Sequence, residues 1–400
     1  MKTVKNNDKD IIENSKNKEL VNSTTESYFE NVSKNYKLAK IISIAVLMIF
    51  LFSSFVIYGE KLTYENARYV LRDIGQILSE DNSDPASIIH YEADGNMDHA
   101  IYGSSIVIAG ESTVTMFGVS GKEKLTDHTS FSSPTIKTSD KYCVVYSLGG
   151  YNLSVYNTVA RVYDMKFDFP IYDVDVSDNG YIAVLTQSVE YRSVVYLYDS
   201  DFKLVTTYNK VKYPCSVSLS SDASYVYISV FGAQTGDILT QLSVYKLSQS
   251  TPLYTKDVYG GLPFDSVCFD NDIVSLICEN SLTFIGLDGL TVNTHSYSQP
   301  IKKFNTINHN ITVVTSGRTS KIYTYNPNGN VISQYESADV IDAFYFDNVL
   351  IARTKDGLFD TQTQSIIKND QSTSPLNILY HNGRIIYCYS NFLQSLAIAK

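Results

Sequence analysis

The chain has 400 residues, enough for one large domain with appended segments. It contains 32 tyrosines and 18 phenylalanines but no tryptophan, a composition that favours β structure because tyrosine suits half-buried strands. The formal net charge of −10 argues against a nucleic-acid partner, since nucleic-acid binding needs a basic stripe.

The N-terminal part predicts a tail followed by a membrane anchor. Residues 1–40 are rich in lysine, asparagine, serine and glutamate, so we predict a disordered tail. Residues 41–58, IISIAVLMIFLFSSFVIY, form an uncharged run that is long enough to cross a bilayer as a helix. Lys34, Lys37 and Lys40 precede this run, so the positive-inside rule places the tail in the cytoplasm and the C-terminal domain outside the cell membrane. The rival interpretation is a cleaved signal peptide, but the preceding segment is too long and the cleavage site is poor.

Residues 60–80 predict a second, different helix. Apolar side chains such as Leu71, Ile74 and Leu78 recur at three- and four-residue steps, which is typical of an amphipathic helix. We call it the stalk helix. Its apolar stripe packs either on the following domain or on a second copy of the chain, so a dimer is one of the two expectations.

From residue 86 to residue 400 the sequence shows repeats of strands. VDVSDNGYIAVLT (174–186) and SVSLSSDASYVYISV (216–230) share one layout: an apolar strand, a polar turn and a second apolar strand. The second strands of eight such units start at Ile106, Cys143, Ile182, Val226, Ile273, Ile311, Leu350 and Ile385. These steps of roughly 35 to 47 residues are the period of a four-stranded propeller blade. We predict an all-β, eight-bladed propeller over 86–400, with seven blades as the alternative.

The last repeat is incomplete, which bears on how the ring closes. It ends after its third strand, while residues 86–93, ASIIHYEA, form a strand that no other unit uses. We expect 86–93 to supply the missing fourth strand, because joining the two ends of the ring hides exposed strand edges.

The anchor, the stalk helix and repeats such as VDVSDNGYIAVLT followed by VVYLYDSDFKLV resemble a known family. It is an uncharacterised, domain-of-unknown-function family of single-pass, membrane-anchored bacterial β-propellers, similar to the WD40-like and quinoprotein-like propeller superfamily. The resemblance covers nearly everything after residue 41. It implies a fold and a topology and brings no catalytic residues.

The stretch DVDVSDNG, residues 173–180, has acids spaced somewhat like those of a calcium loop. Such a loop in a helix-loop-helix hand needs glycine at position 6 and a bidentate glutamate at position 12. A start at Asp173 puts Asp178 at position 6, and a start at Asp175 puts Thr186 at position 12. We therefore interpret the stretch as a turn between strands and expect no metal there.

Other chemistry has little support in the sequence. Quinoprotein dehydrogenases, enzymes with eight-bladed rings, typically use tryptophans, calcium and a vicinal disulfide, none of which this sequence offers, so we expect no cofactor. The six histidines are scattered, and phosphate loops and nucleophile elbows are absent, so we name no catalytic residue. The five cysteines are interpreted as buried apolar residues on the inner two strands of their blades, with a Cys268–Cys278 bridge as the alternative.

Binding is the function that remains. In propellers, the loops between second and third strands and the links between blades surround one end of the central funnel. The longest such loops here, 187–193, 231–237 and 316–321, supply the candidate binding residues Tyr191, Arg192, Gln234, Asp237 and Arg318. We expect an extracytoplasmic binding or scaffold module for envelope proteins, peptides or glycans. The alternative is a glycan-active envelope hydrolase with two carboxylates facing each other in the funnel.

Overall fold

The computed structural model describes residues 36–50, 88–269, 273–307, 309–354, 357–367 and 375–397. Residues 36–50 form a helix, α1, which takes in the end of the predicted tail and the first part of the predicted membrane span. The rest of that span, 51–58, and the predicted stalk helix, 60–80, lie outside the described residues. Among the helical residues that are described, none belongs to a helix long and apolar enough to cross a membrane.

The strands of the described chain form eight four-stranded antiparallel sheets, which are the blades of a propeller. Blades 1 to 4, each from its first to its fourth strand, are β2 Asp98–Tyr102, β3 Ser105–Ala109, β4 Thr113–Gly118 and β5 Glu123–His128; β6 Pro134–Thr138, β7 Cys143–Ser147, β8 Asn152–Tyr156 and β9 Arg161–Lys166; β10 Asp173–Val176, β11 Ile182–Thr186, β12 Ser193–Tyr198 and β13 Leu204–Lys210; β14 Tyr213–Leu219, β15 Tyr225–Gln234, β16 Asp237–Lys246 and β17 Tyr254–Tyr259.

Blades 5 to 8 continue the same pattern. Their strands are β18 Pro263–Phe269, β19 Ile273–Cys278, β20 Ser281–Ile285 and β21 Thr291–Ser296; β22 Ile301–Ile307, β23 Asn310–Thr315, β24 Ser320–Tyr325 and β25 Val331–Ser337; β26 Val340–Phe346, β27 Val349–Thr354, β28 Gly357–Asp360 and β29 Ser365–Ile367; β30 Asn377–His381, β31 Arg384–Cys388, β32 Phe392–Ala397 and, as the outermost strand of blade 8, β1 Ile88–His90. At most junctions the first strands of neighbouring blades contact one another, as expected for the strands that surround the central channel.

The hydrophobic core is divided among the junctions between blades. In the described chain, one cluster of buried apolar side chains lies at each of the eight junctions. The second and third strands supply most of these side chains, and both of their faces are buried because each blade packs against two neighbours. Burial of apolar area at every junction is the main favourable contribution to this fold.

The ring closes through its first and last strands, as the sequence predicts. β1 pairs with β32 in an antiparallel register that sets Ile89 opposite Leu393. Both side chains join the cluster between blades 8 and 1, which also contains Ile106 of β3. The eight-bladed prediction is therefore confirmed, and the seven-bladed alternative is wrong.

The cysteines lie on the inner two strands of their blades, as predicted, and all five are free. The alternative Cys268–Cys278 bridge is wrong. These two residues are on adjacent strands, but the register pairs Cys268 with Val274 and Cys278 with Pro263.

Because successive strands alternate in direction, the loops divide between two faces of the ring. The loops that join first to second and third to fourth strands lie on one face, which we call the upper face. The loops that join second to third strands, and the links from one blade to the next, lie on the lower face.

Candidate functional site

Polar side chains on the first strands bridge neighbouring blades along the channel. Each first strand has one edge that no strand of its own blade covers, and its N–H and C=O groups need partners. The Ile136 N–H of blade 2 donates to Asp98 Oδ2 of blade 1 over 2.9 Å. The Val217 N–H of blade 4 donates to Asp173 Oδ2 of blade 3 over 3.0 Å. These carboxylates therefore stabilise the ring by joining one blade to the next.

Amides do the same elsewhere in the ring. Asn305 Nδ2 of blade 6 donates to Ala343 O and to Asp342 Oδ1 of blade 7, over 2.8 and 2.6 Å. Asn377 Nδ2 of blade 8 donates to His99 O of blade 1 over 3.4 Å. Polar channel residues are thus primarily part of the architecture.

Lys137 of β6 is the cation at the centre of one group of channel carboxylates. Its Nζ lies 3.7 Å from Asp173 Oδ1, and its side chain is 31% exposed, as expected for a residue that lines an open channel. The carboxylate of Asp173 is the largest cause that holds the pKa of the Lys137 ammonium well above its usual value. Asp265 and Asp175 act in the same direction, and together with Asp173 they outweigh the loss of hydration, which acts in the opposite direction. We call Lys137, Asp173, Asp175 and Asp265 the channel cluster.

Two acids of the channel cluster are held closer to neutrality than free aspartate. Burial raises the pKa of Asp175 to about 6, while Lys137 acts against this rise. Burial also raises the pKa of Asp265, again opposed by Lys137. Asp175 Oδ2 accepts from the Leu219 N–H over 2.7 Å, and Asp265 Oδ1 accepts from the Ser266 N–H over 2.8 Å. The cluster therefore combines a lysine that stays charged with two carboxyl groups of raised pKa, which lose their protons at a higher pH than free aspartate does.

The acidic stretch 173–180 is a strand and a turn, which confirms the turn interpretation. Asp173 and Asp175 lie on β10 and bind blade 4, as described above. The turn closes with the Gly180 N–H donating to Ser177 O over 2.9 Å, and Gly180 has φ of +89°, which glycine adopts without strain. Asp178 Oδ1 accepts from the Asp140 N–H of blade 2 over 3.2 Å. Among the described residues, no group of histidine, cysteine, aspartate and glutamate side chains has the arrangement of a metal site.

The five candidate binding residues lie on the lower face, where second and third strands are joined: Tyr191, Arg192 and Arg318 on loops, Gln234 and Asp237 at the ends of two paired strands. Arg192, Gln234, Asp237 and Arg318 are exposed, whereas Tyr191 is half-buried and its N–H donates to Ser188 Oγ over 3.0 Å. They do not form one site. Arg192 belongs to blade 3, Gln234 and Asp237 to blade 4, and Arg318 to blade 6, with blade 5 between.

Gln234 and Asp237 are at the tip of a hairpin that projects from the lower face. β15 and β16 have ten residues each and pair as far as Gln234 with Asp237. The flanking strands stop earlier, since β14 pairs as far as Phe231 and β17 starts to pair at Leu239. The tip, residues 232–238, therefore has no neighbouring strand within its blade.

A mixed basic and aromatic surface lies beside the base of this hairpin. The Arg192 guanidinium lies 4.4 Å from the centroid of the Tyr213 ring, and that ring lies 5.8 Å from the ring of Phe231. Val211 and Tyr213 are 73% and 48% exposed. We call Arg192, Val211, Lys212, Tyr213 and Phe231 the lower-face patch. Of these, sequence reasoning found only Arg192, because the link 211–212 is too short to stand out among the loops.

Apolar side chains extend the exposed surface towards blade 5. Tyr259, Leu262 and Phe264, around the next link, are also exposed, and the Phe264 ring stacks on that of Phe304 at 6.5 Å. Exposed apolar side chains thus lie around two successive links of the lower face, and large exposed apolar patches are typical of sites that bind a partner.

Solved structures share this architecture. BamB from Moraxella catarrhalis matches with a TM-score of 0.54 and 14% identity, over 79% of this chain and 97% of BamB. The C-terminal WD40 domain of Sif2 matches with a TM-score of 0.54 and 13% identity, over 78% of this chain and 99% of that domain. The computationally designed Ika8 protein matches with a TM-score of 0.57 and 10% identity, over 79% and 100% of the two chains. At these identities the likeness concerns the fold alone.

Sequence comparison gives one match. The family described as "Family of unknown function (DUF5711)" matches residues 85–363. No curated protein matches the chain.

Proposed function

The chain belongs to the DUF5711 family of unknown function, and from the surface of its propeller we propose that it is a membrane-anchored binding or scaffold module. The lower face would hold an envelope protein, peptide or glycan, and the apolar run 41–58 would anchor the chain with its propeller outside the membrane. The amphipathic run 60–80 would connect the two parts and offer a surface for a dimer.

The observation that carries this proposal is the projecting hairpin with the apolar surface at its base. Residues 232–238 extend beyond the blade, and Val211 and Tyr213 remain exposed although the ring is complete without them. A rigid ring that displays loops and exposed aromatic groups on one face suits recognition by shape. A hairpin that serves only the fold has no reason to outgrow its neighbours.

The geometry favours binding over the hydrolase alternative. Hydrolysis of a glycan needs two carboxylates that are free to act on the scissile bond. Asp173 and Asp175 accept backbone N–H groups of blade 4, and Asp173 also lies beside Lys137. Each of these acids joins blade 3 to blade 4, and this structural role accounts for its position in the channel.

Crosslinking in cells tests the binding face. A photoreactive amino acid placed at Gln234 of the full-length chain should capture a partner, whereas the same residue at Lys246 should not. Lys246 is a matched control because it is exposed at the upper end of the same hairpin. Equal capture at both positions, or capture at neither, would refute the proposed binding face.

Protease accessibility tests the orientation separately. Protease added to intact cells, after removal of any wall, should digest the region after Glu60 and spare an epitope placed in residues 1–40. A protected C-terminal domain would overturn the proposed topology and leave the binding face to be judged by crosslinking.

A further inference from the structure

The lower-face patch contains cations without carboxylate partners. Within the part of the chain that the structure describes, neither Arg192 nor Lys212 forms a salt bridge. Arg192 instead contacts the Tyr213 ring, and Lys212 O accepts from Ser193 Oγ over 2.7 Å. The Lys212 stem passes close to Gly232 at the base of the hairpin, where a Cβ would lie 3.7 Å from Lys212 Cγ.

A third cation, Lys210 at the end of β13, lies near the patch, and its ammonium points into blade 4. Lys210 Nζ donates to Ser243 Oγ over 2.7 Å and lies 5.0 Å from the centroid of the Tyr245 ring. Burial, together with the neighbouring Lys212 ammonium, lowers the pKa of Lys210 to about 8. The molecule therefore holds cations close enough to repel one another, in a chain whose net charge is −10. A carboxylate supplied from outside would relieve that repulsion.

The apolar part of the patch lies directly beside these charges. Tyr213 and Val211 are exposed next to Arg192 and Lys212, and Phe231 continues the surface onto the hairpin. Interfaces of this type combine arginine and aromatic side chains at their centre with charged groups around them. Glu190 and Asp237, both exposed, lie on the two adjoining loops and so limit the positive area to the patch itself.

We propose that the lower-face patch binds an acidic peptide segment, whose carboxylates meet Arg192 and Lys212 while an adjacent apolar side chain packs on Val211 and Tyr213. This inference rests on the proposed function and adds the chemical class of the partner. Complementary charge favours this occupant because it attracts an acidic segment to a small basic area and orients it there.

A polyanion fits the patch less well than a short acidic peptide. Nucleic acid and an anionic membrane surface extend far beyond the area of Arg192, Lys212 and Lys210, and would meet the acidic remainder of the propeller. A peptide of a few residues places its charges only where the cations are.

Selection from a random 12-residue peptide library, displayed on phage and exposed to the immobilised full-length chain, tests the proposal. The wild-type chain should enrich peptides that carry two or more acids next to an aromatic or aliphatic residue. The R192E/K212E variant should lose that acidic excess. An enriched peptide should bind the variant about tenfold or more weakly than the wild-type chain, which corresponds to the loss of two charge contacts, and added salt should weaken wild-type binding.

The control variant is K203E/K246E, which changes the net charge equally. Lys203 and Lys246 are exposed on the upper face of the same two blades. Neither ammonium forms an ion pair with a described carboxylate, and Lys203 donates to Asp199 Oδ1 through its backbone N–H and not through its ammonium. This variant should enrich the same peptides as the wild-type chain. A conservative R192Q/K212Q variant should give an intermediate loss of affinity, which separates a charge effect from a folding defect.

The outcomes separate this inference from the proposed function. Enriched peptides without an acidic excess, or an equal loss in K203E/K246E, would overturn the acidic-peptide inference. Two probes without peptide, a single-stranded oligonucleotide and vesicles of phosphatidylglycerol, test the polyanion alternative. If either binds as tightly as the enriched peptides and its binding also depends on Arg192 and Lys212, the patch is a polyanion site and the acidic-peptide inference is overturned. If crosslinking at Gln234 still captures a partner in those cases, the binding face stands and only its acidic specificity falls.

Discussion

Lys137 in the channel and Arg192 on the lower face are both long cationic side chains, but among the described residues only Lys137 has carboxylate partners. Lys137 lies among Asp173, Asp175 and Asp265, all of which come from the chain itself. Arg192 contacts the face of Tyr213, and no described carboxylate pairs with it. The charges of the channel cluster are paired within one molecule, whereas the cations of the lower-face patch are available to a second molecule.

This difference separates structural from functional polar groups. A charged group that has its partners within the same molecule stabilises the fold, and its loss destabilises the molecule because the partners are left unpaired. A charged group at the surface without partners contributes little to stability. Substitutions inside the ring should therefore lower stability, and substitutions in the patch should lower binding alone.

The strongest test of the interior concerns the closing strand. Ile89→Asp should lower the free energy of unfolding by roughly 4 kcal/mol, because it places an unpaired charge in the cluster between blades 8 and 1. Ile89 is 6% exposed, whereas its neighbour Ile88 is 43% exposed. Ile88→Asp is therefore the control and should change stability by less than about 0.5 kcal/mol. Denaturant unfolding of the full-length chain measures both, and an equal loss in the two variants would contradict the observed β1–β32 register.

The next largest effect concerns the cation of the channel cluster. Lys137→Met should lower stability by about 2–3 kcal/mol at pH 8, because three carboxylates then lie together without their cation. The same substitution should lower stability by less at pH 5 than at pH 8. Since burial raises the pKa of Asp175 to about 6 and also that of Asp265, both acids take up protons more readily in the folded state than in the unfolded state.

The sign of this pH dependence is fixed by the direction of the shifts. The stability that protonation of these acids contributes is present below the pKa of free aspartate and is lost as pH rises through the raised values. Denaturant unfolding of the wild-type and K137M chains at pH 5 and pH 8 tests this dependence, and the difference between the two chains should be smaller at pH 5. A loss that is the same at both pH values would show that Lys137 acts by packing and not by charge.

A smaller interior effect has the opposite pH dependence. His99 is 3% exposed, its Nε2 lies 2.9 Å from the Tyr91 hydroxyl, and burial lowers its pKa to about 4. The neutral form is favoured in the folded chain, so His99 removes stability as pH falls from about 6.5 towards 4. Over this pH range the stability of the His99→Gln variant should therefore fall by about 1–2 kcal/mol less than that of the wild-type chain. If the difference between wild type and H99Q is constant from pH 7 to pH 4.5, His99 does not titrate as described.

The sequence predicts the ring better than it predicts the contacts within it. The second strands begin within one residue of the predicted positions, because strand alternation and turn residues are local signals. The closing strand 86–93 was also identifiable, since it was the one strand without a blade. The pairing of Lys137 with Asp173 joins two blades, and it depends on strand register and ring curvature that no local pattern encodes.

The lower face shows the same limit. Loop length drew attention to Arg192, Gln234 and Asp237, all of which are exposed on that face. Loop length could not indicate Val211, Lys212 or Tyr213, because the link 211–212 has only two residues and Tyr213 is already the first residue of β14.

The smallest expected effect on stability is also the one that most sharpens the contrast between channel and patch. R192E/K212E should lower the free energy of unfolding by about 1 kcal/mol or less, since neither cation has a described carboxylate partner to lose and the exposed contact of Arg192 with the Tyr213 ring contributes only about 0.5–1 kcal/mol. Reversal even reduces the repulsion on Lys210, whose pKa should rise from about 8 towards the ordinary lysine value. Denaturant unfolding of this variant beside K137M makes the comparison directly, because R192E/K212E reverses two charges on the surface whereas K137M removes one charge in the channel. A loss as large as that in K137M would mean that the patch belongs to the architecture of the ring, and a free surface for a partner would then have to be sought elsewhere on the lower face.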